Sequence, residues 1–232
     1  MSDRDAKTPR VVVMRHGETE WAAKGYFTGK TEIDLTPNGV KQVESTASLI
    51  VGAGKLLEPS RLAHIIVSPR KRTQRTLDLL ALSPSEFHAV IVCTEDMREW
   101  DYGDYEGMTD VDIRKLRKSR GLDKIREWNI WEDGCEGGES NQEVTERVDR
   151  IITQIRDLQS PCMHGGKAAD VLIVAHGLIL RCFMKRWIGY EIENPLPMTF
   201  SPGAVAVMSY RKEDVNQPVF HLGLALPSAP HA

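Results

Sequence analysis

The sequence predicts an α/β fold of three layers: a mostly parallel central sheet of about six strands with helices on both faces. Two observations carry this. Four apolar runs, Val11–Met14, Ala63–Val67, Val90–Cys93 and Val171–Ala175, have the length and β-branched content of buried parallel strands. Between them lie segments with helical periodicity, the alternation expected of β-α-β units. A third observation bears on function: Arg15-His16-Gly17, Ser68-Pro69 with Arg72, Arg98-Glu99 and His176-Gly177 each follow one of these runs. In an open α/β sheet ligands bind beyond the carboxyl ends of the strands, so these residues should meet at one edge.

Taken in order, the first strand is followed by a helix opened by Thr36-Pro37, a good cap with proline in the first turn. Val40, Val43, Ala47, Ile50 and Val51 supply its apolar face, and Gly52-Ala53-Gly54 ends it. A second helix is expected over 70–82, a third from about Thr109, a fourth over 141–158 and a fifth after His176. Residues 204–210 and 219–224 read as two final strands at one edge of the sheet. Residues 95–140 are longer than a connection needs, which marks a substrate-side excursion. Residues 1–10 read as a disordered tail, 11–225 as a single domain and 226–232 as a loose tail.

The 232 residues carry a net charge of −3, against a nucleic-acid surface. No apolar stretch reads as a signal peptide, and Val171–Ile188 is interrupted by His176, Arg181, Lys185 and Arg186, against a membrane span. Cys93, Cys135, Cys162 and Cys182 show no CxxC spacing, so neither a zinc site nor a disulfide framework is expected. A reducing, cytoplasmic setting follows, with the nucleus and a homo-oligomer left open.

Arg15-His16-Gly17-Glu18-Thr19, Ser68-Pro69 with Arg72 and Thr76, Glu99 with Tyr102-Gly103, and Ala175-His176-Gly177 resemble, in order and spacing, the motifs of the histidine phosphatase superfamily, the phosphoglycerate mutase-like group. Within it, the runs Arg98–Gly107, Leu116–Lys124 and Trp128–Glu136 are similar to those of fungal sedoheptulose-1,7-bisphosphatases. The resemblance implies a metal-independent, cofactor-free phosphatase acting on a small phosphorylated sugar, with sedoheptulose 1,7-bisphosphate leading and fructose 1,6-bisphosphate behind it. A phosphoglycerate mutase and a non-catalytic phosphate-binding module are further alternatives.

On this reading His16 attacks phosphorus to form a phosphohistidine, with its other ring nitrogen held by a backbone carbonyl. Arg15, Arg72 and His176 would surround the transferring group, and Glu99 would protonate the leaving alkoxide and then activate water. Thr28, Gly29, Tyr102 and Gly177 would touch substrate, as would Glu139 and Ser140. The glycine after each histidine would let the backbone approach the ligand.

The remaining histidines, His64, His88, His164, His221 and His231, read as structural or solvated. Arg70, Arg75 and Arg181 read as supporting charges, and Trp128 and Trp131 as packing for the excursion. The basic residues from Arg114 to Arg126 read as a solvated face, an electrostatic funnel being the alternative. Two departures from the resemblance bear on substrate: Ala22 stands where relatives often carry asparagine, and the stretch 189–203 is short.

Overall fold

Six strands build one sheet in the computed structural model, which describes residues 8–82 and 89–222. In chain order the elements are β1 (Val11–Arg15), α1 (Glu20–Lys24), α2 (Pro37–Ile50), β2 (Leu62–Val67), α3 (Lys71–Leu79) and β3 (Val90–Cys93). After these come α4 (Asp110–Ser119), α5 (Ile130–Asp133), α6 (Asn141–Gln159), β4 (Asp170–Ala175), α7 (Gly177–Trp187), β5 (Val205–Tyr210) and β6 (Pro218–His221). The strand order is β3-β2-β4-β1-β5-β6, with the first four parallel and β5 and β6 antiparallel. The mostly parallel sheet and its antiparallel end match the expectation.

Alternation along the strands creates the three layers, because successive side chains leave a strand on opposite faces. Val11, Val13, Val171 and Ile173 join a core shared with α6 and α7, whereas Val12, Met14, Leu172 and Val174 join one shared with α2. The expected caps are in place: the Gly39 N–H donates to Thr36 Oγ1 at α2, and the Asp112 N–H to Thr109 Oγ1 at α4.

Three expectations need correction. Residues 8–10 are not a loose tail: Thr8 and Pro9 are buried, Ser209 Oγ donates to the Pro9 carbonyl, and Arg10 pairs with Asp170 at 2.6 Å. Residues 1–7 and the expected C-terminal tail lie outside the described residues, as do His88, His231 and the end of the last strand. The run Val90–Cys93 is a strand at the sheet edge rather than a buried one, leaving Val90 and Ile91 each 54% exposed. Finally, α1 has no counterpart in the sequence reading, although Thr19 caps its start and left-handed Gly25 (φ 76°) ends it.

Within 95–140, Trp100, Tyr105, Ile113 and Trp128 are buried against the α6 and α7 core. The basic stretch is laced to carboxylates: Arg114 to Asp110 and Glu127, Arg117 to Asp123 and Glu136, Arg120 to Asp104, and Arg126 to Asp133. This pairing speaks against the funnel, and Arg117 departs from the expected solvated face, being buried and bound also to the Tyr105 hydroxyl. Among the described residues no helix is long and apolar enough to cross a membrane.

Candidate active site

The strands β1 and β4 run side by side and parallel, with Arg15 in register with Ala175, so the histidines that follow them are neighbours. The His16 and His176 ring centroids are 5.2 Å apart, edge to face. Burial leaves His16 5% and His176 0% exposed.

His16 Nδ1 lies 2.7 Å from the Gly17 carbonyl, which can only accept, so Nδ1 carries the proton and Nε2 keeps its lone pair. Burial, and then the charges of Arg72 and Arg15, hold the His16 pKa well below the ordinary 6.5, so the ring is neutral at physiological pH. A neutral imidazole with one free lone pair is what nucleophilic attack requires.

His176 has neither nitrogen free. Arg72 Nε, which can only donate, lies 3.1 Å from Nδ1, so the proton sits on Nε2 and is given to Ser68 Oγ at 2.7 Å. Burial and Arg72 keep this ring neutral too. Arg72, 1% exposed, also donates to the carbonyls of Thr31, Thr28 and Gly29. Arg72 and His176 thus stand behind the nucleophile, bound to protein groups, and do not line the cavity in front of it.

That cavity has a volume of about 380 Å³ and is walled by Arg15, His16, Glu99, Tyr102, Gly177 and Thr28, among others. Arg15 donates from one terminal nitrogen to the Phe200 carbonyl at 2.6 Å, while its buried Nε has no partner. An unpartnered buried N–H is costly, and Arg15, which carries it, is part of the cavity wall. Glu99 Oε1 accepts from the N–H groups of Trp100 and Ile179, and Oε2 from that of Leu178, so the carboxylate sits on the first turn of α7. Tyr102 packs edge to face on Phe27 at 4.9 Å, and burial raises its phenol pKa well above 10.0.

Gly17 allows close packing of α2, whereas Gly177 allows Arg15 to lie close and is itself part of the cavity wall. A Cβ on Gly17 would lie 2.5 Å from the Gly39 carbonyl, and one on Gly177 would lie 3.1 Å from the Arg15 guanidinium. Gly29 donates to Glu106 and lies against the Trp100 carbonyl, which fixes the loop bearing Thr28.

Five of the expected substrate contacts, Gly29, Arg72, His176, Glu139 and Ser140, do not line this cavity, and the last two are engaged elsewhere. Both Glu139 oxygens accept from Arg147, and they also take Arg98 and the Asp101 N–H. Ser140 caps α6 in a capping box with Glu143. Neither residue lines the cavity. Conversely Ala22, Tyr26, Phe27, Trp131 and Arg181 do line it. Arg181, expected to support structure, lies 5.6 Å over the Trp131 ring and donates Nε to the Gly177 carbonyl; no carboxylate among the described residues is within ion-pair distance. Among the described residues no cluster of three or more His, Cys, Asp or Glu is arranged for a metal ion.

Comparison with known proteins agrees with this geometry. The profile of the histidine phosphatase superfamily (branch 1) matches residues 11–219. A sedoheptulose 1,7-bisphosphatase of Saccharomyces cerevisiae is 42% identical over 190 residues, covering 81% of this chain and 70% of its own. An acid phosphatase of Mycobacterium tuberculosis is 35% identical, over 77% of this chain and 75% of its own. A 2,3-bisphosphoglycerate-dependent phosphoglycerate mutase of Cytophaga hutchinsonii is 28% identical over 96% of each chain. The solved α-ribazole phosphatase of Shigella flexneri superposes with a TM-score of 0.71 at 21% identity, over 92% of this chain and 95% of its own, a likeness of fold.

Fold, site and relatives together define the class of protein, a phosphoric monoester hydrolase. The chain belongs to the histidine phosphatase superfamily, in its phosphoglycerate mutase-like branch.

Proposed function

We propose that this enzyme dephosphorylates a small sugar phosphate through a phosphohistidine on His16, with sedoheptulose 1,7-bisphosphate as leading substrate and position 1 as the reacting phosphate. The observation that carries the reading is the free Nε2 of a neutral His16 in a cavity whose wall also includes Arg15.

The His16 Nε2 lone pair attacks phosphorus, and the bond from phosphorus to the ester oxygen breaks. Glu99 gives its proton to the departing oxygen. Water then attacks the phosphohistidine, Glu99 takes its proton, and the P–N electron pair returns to Nε2 as inorganic phosphate leaves. General acid catalysis supplies only about 10²- to 10⁴-fold, whereas phosphate monoesters need up to about 10²¹-fold, so positioning and charge stabilisation, with Arg15 as the cation nearest His16 on the wall, must dominate. Arg72 and His176 act by fixing the loop around the nucleophile. Thr28, Tyr102 and Gly177 shape the wall, and Arg181 offers a charge to a second phosphate.

A bisphosphate is favoured over a monophosphate because Arg181 lines the cavity without a carboxylate partner. Fructose 1,6-bisphosphate offers the same two charges and is the second candidate. Four unpaired cysteines support placement in the cytoplasm.

Two measurements test the proposal. Rapid acid quench during turnover of sedoheptulose 1,7-bisphosphate should trap acid-labile phosphate on His16, with stoichiometric release of inorganic phosphate. Incubation with 3-phosphoglycerate and a bisphosphate primer should give little isomerisation; rapid isomerisation without phosphate release would make the enzyme a mutase instead.

A further inference from the structure

Arg147, on α6, is 2% exposed and forms no part of the cavity wall, yet all five of its N–H groups are used. Nε donates to Glu139 Oε1 at 2.9 Å, and one terminal nitrogen donates to Oε2 at 3.0 Å and to the Glu99 carbonyl at 3.4 Å. The other terminal nitrogen donates to the carbonyls of Asp96 at 2.9 Å and Arg98 at 2.8 Å. Three of the five bonds therefore end on the backbone that carries Glu99. Glu139 holds the same segment from its own side. Its Oε2 accepts the Asp101 N–H at 2.9 Å, its Oε1 accepts Arg98 at 2.6 Å, and its carbonyl accepts Trp100 Nε1 at 2.9 Å.

Stability alone is a poor reason for such a pair. Desolvating two ions costs several kcal/mol each, and a well-packed apolar pair of similar volume is often as stable or more so. What an apolar pair cannot do is tie three carbonyls to a guanidinium fork and one amide to the carboxylate paired with it. Position is what a proton donor needs: a misplacement of about 1 Å can cost about 10²-fold in rate. The two N–H groups of α7 grip the Glu99 carboxylate, while Arg147 and Glu139 grip the backbone behind it.

We infer that Arg147 and Glu139 form one positioning unit that aims Glu99 at the leaving oxygen, and so set how well the enzyme handles poor leaving groups. The inference rests on the proposed role of Glu99 as proton donor.

The leaving group separates positioning from general support. A sugar alkoxide needs the proton, whereas 4-nitrophenolate departs without it, and kcat/KM reports the step at which the leaving group departs. We expect Arg147→Lys and Glu139→Gln to lower kcat/KM for the sugar phosphate about 10- to 100-fold while lowering that for 4-nitrophenyl phosphate less than about 3-fold, the pattern expected of Glu99→Gln. Equal losses on both substrates, or no loss on either, would overturn the inference. Should Arg147→Lys fail to fold, Glu139→Gln, which exchanges one oxygen for an NH₂, decides the question alone. If Glu99→Gln itself shows no dependence on leaving group, the role of Glu99 falls and the inference with it. If only Glu99→Gln shows it, the role stands and the inference alone falls.

Discussion

The corners that end β1 and β4 share a His-Gly pair and adjacent positions on the sheet, yet they carry different chemistry. At the β1 corner one nitrogen of His16 is bound to a carbonyl and the other is free. At the β4 corner both nitrogens of His176 are closed, by Arg72 and by Ser68. Both rings are buried and neutral, so charge does not distinguish them. The partner of the second nitrogen does: it leaves His16 free for the proposed attack and ties His176 to protein groups.

The largest effect should come from removing the nucleophile. His16→Ala should lower kcat/KM by about 10³-fold or more and abolish acid-labile phosphate on the protein. Full turnover by this variant would end the distinction between the corners. His176→Ala should cost about 10²-fold, but phosphate should still be trapped on His16. Loss of trapping in His176→Ala alone would reverse the assignment. Ser68→Ala removes one hydrogen bond worth about 0.5–1.5 kcal/mol, so up to roughly tenfold in kcat is expected. In a His176→Ala background the same change should do nothing further, which a double-mutant cycle measures.

The smallest effect is on stability. Because the pKa of both buried histidines is lowered in the folded state, the unfolded chain takes up more protons below the ordinary value of 6.5. Stability should therefore be fully present above that pH and be lost progressively as pH falls toward the lowered values. Urea titrations between pH 8 and 5 should show the decline, about 1.4 kcal/mol for each pH unit per histidine involved, and His176→Asn should make it shallower. An unchanged slope would mean that His176 does not titrate differently on folding.

Much of this was legible in the chain. Residues at the carboxyl ends of apolar runs must share an edge if the runs are parallel, and adjacent β1 and β4 bring Arg15, His16 and His176 together, whereas Glu99, six residues past the edge strand β3, reaches them only through its bonds to α6 and α7. What sequence could not show was which polar groups are already spoken for. Glu139 resembles a ligand until Arg147, eight residues on, occupies both its oxygens. Ser140 was readable, since Ser140 and Glu143 have the spacing of a capping box before an apolar helix. Arg181 lies one turn beyond Gly177 in α7, and its place on the cavity wall over the Trp131 ring, fifty residues earlier in the chain, is a long-range contact that sequence does not show. Gly17 meets a neighbour that sequence could not show, because the approach of α2 to it is a long-range fact.

The segment 189–203 ends at a fixed post. The Phe200 carbonyl holds Arg15, and the Gly203 N–H donates to the carbonyls of Arg15 and His16. Upstream of that post Ile192 is buried in the core with its carbonyl held by Lys185, whereas residues 193–195, 197 and 199 are exposed, so a change of length among these leaves the bonds at Phe200 and Gly203 in place. Evolution and protein engineers alike are thereby handed a place to graft new loops, where the clientele of the enzyme can change while its reaction does not.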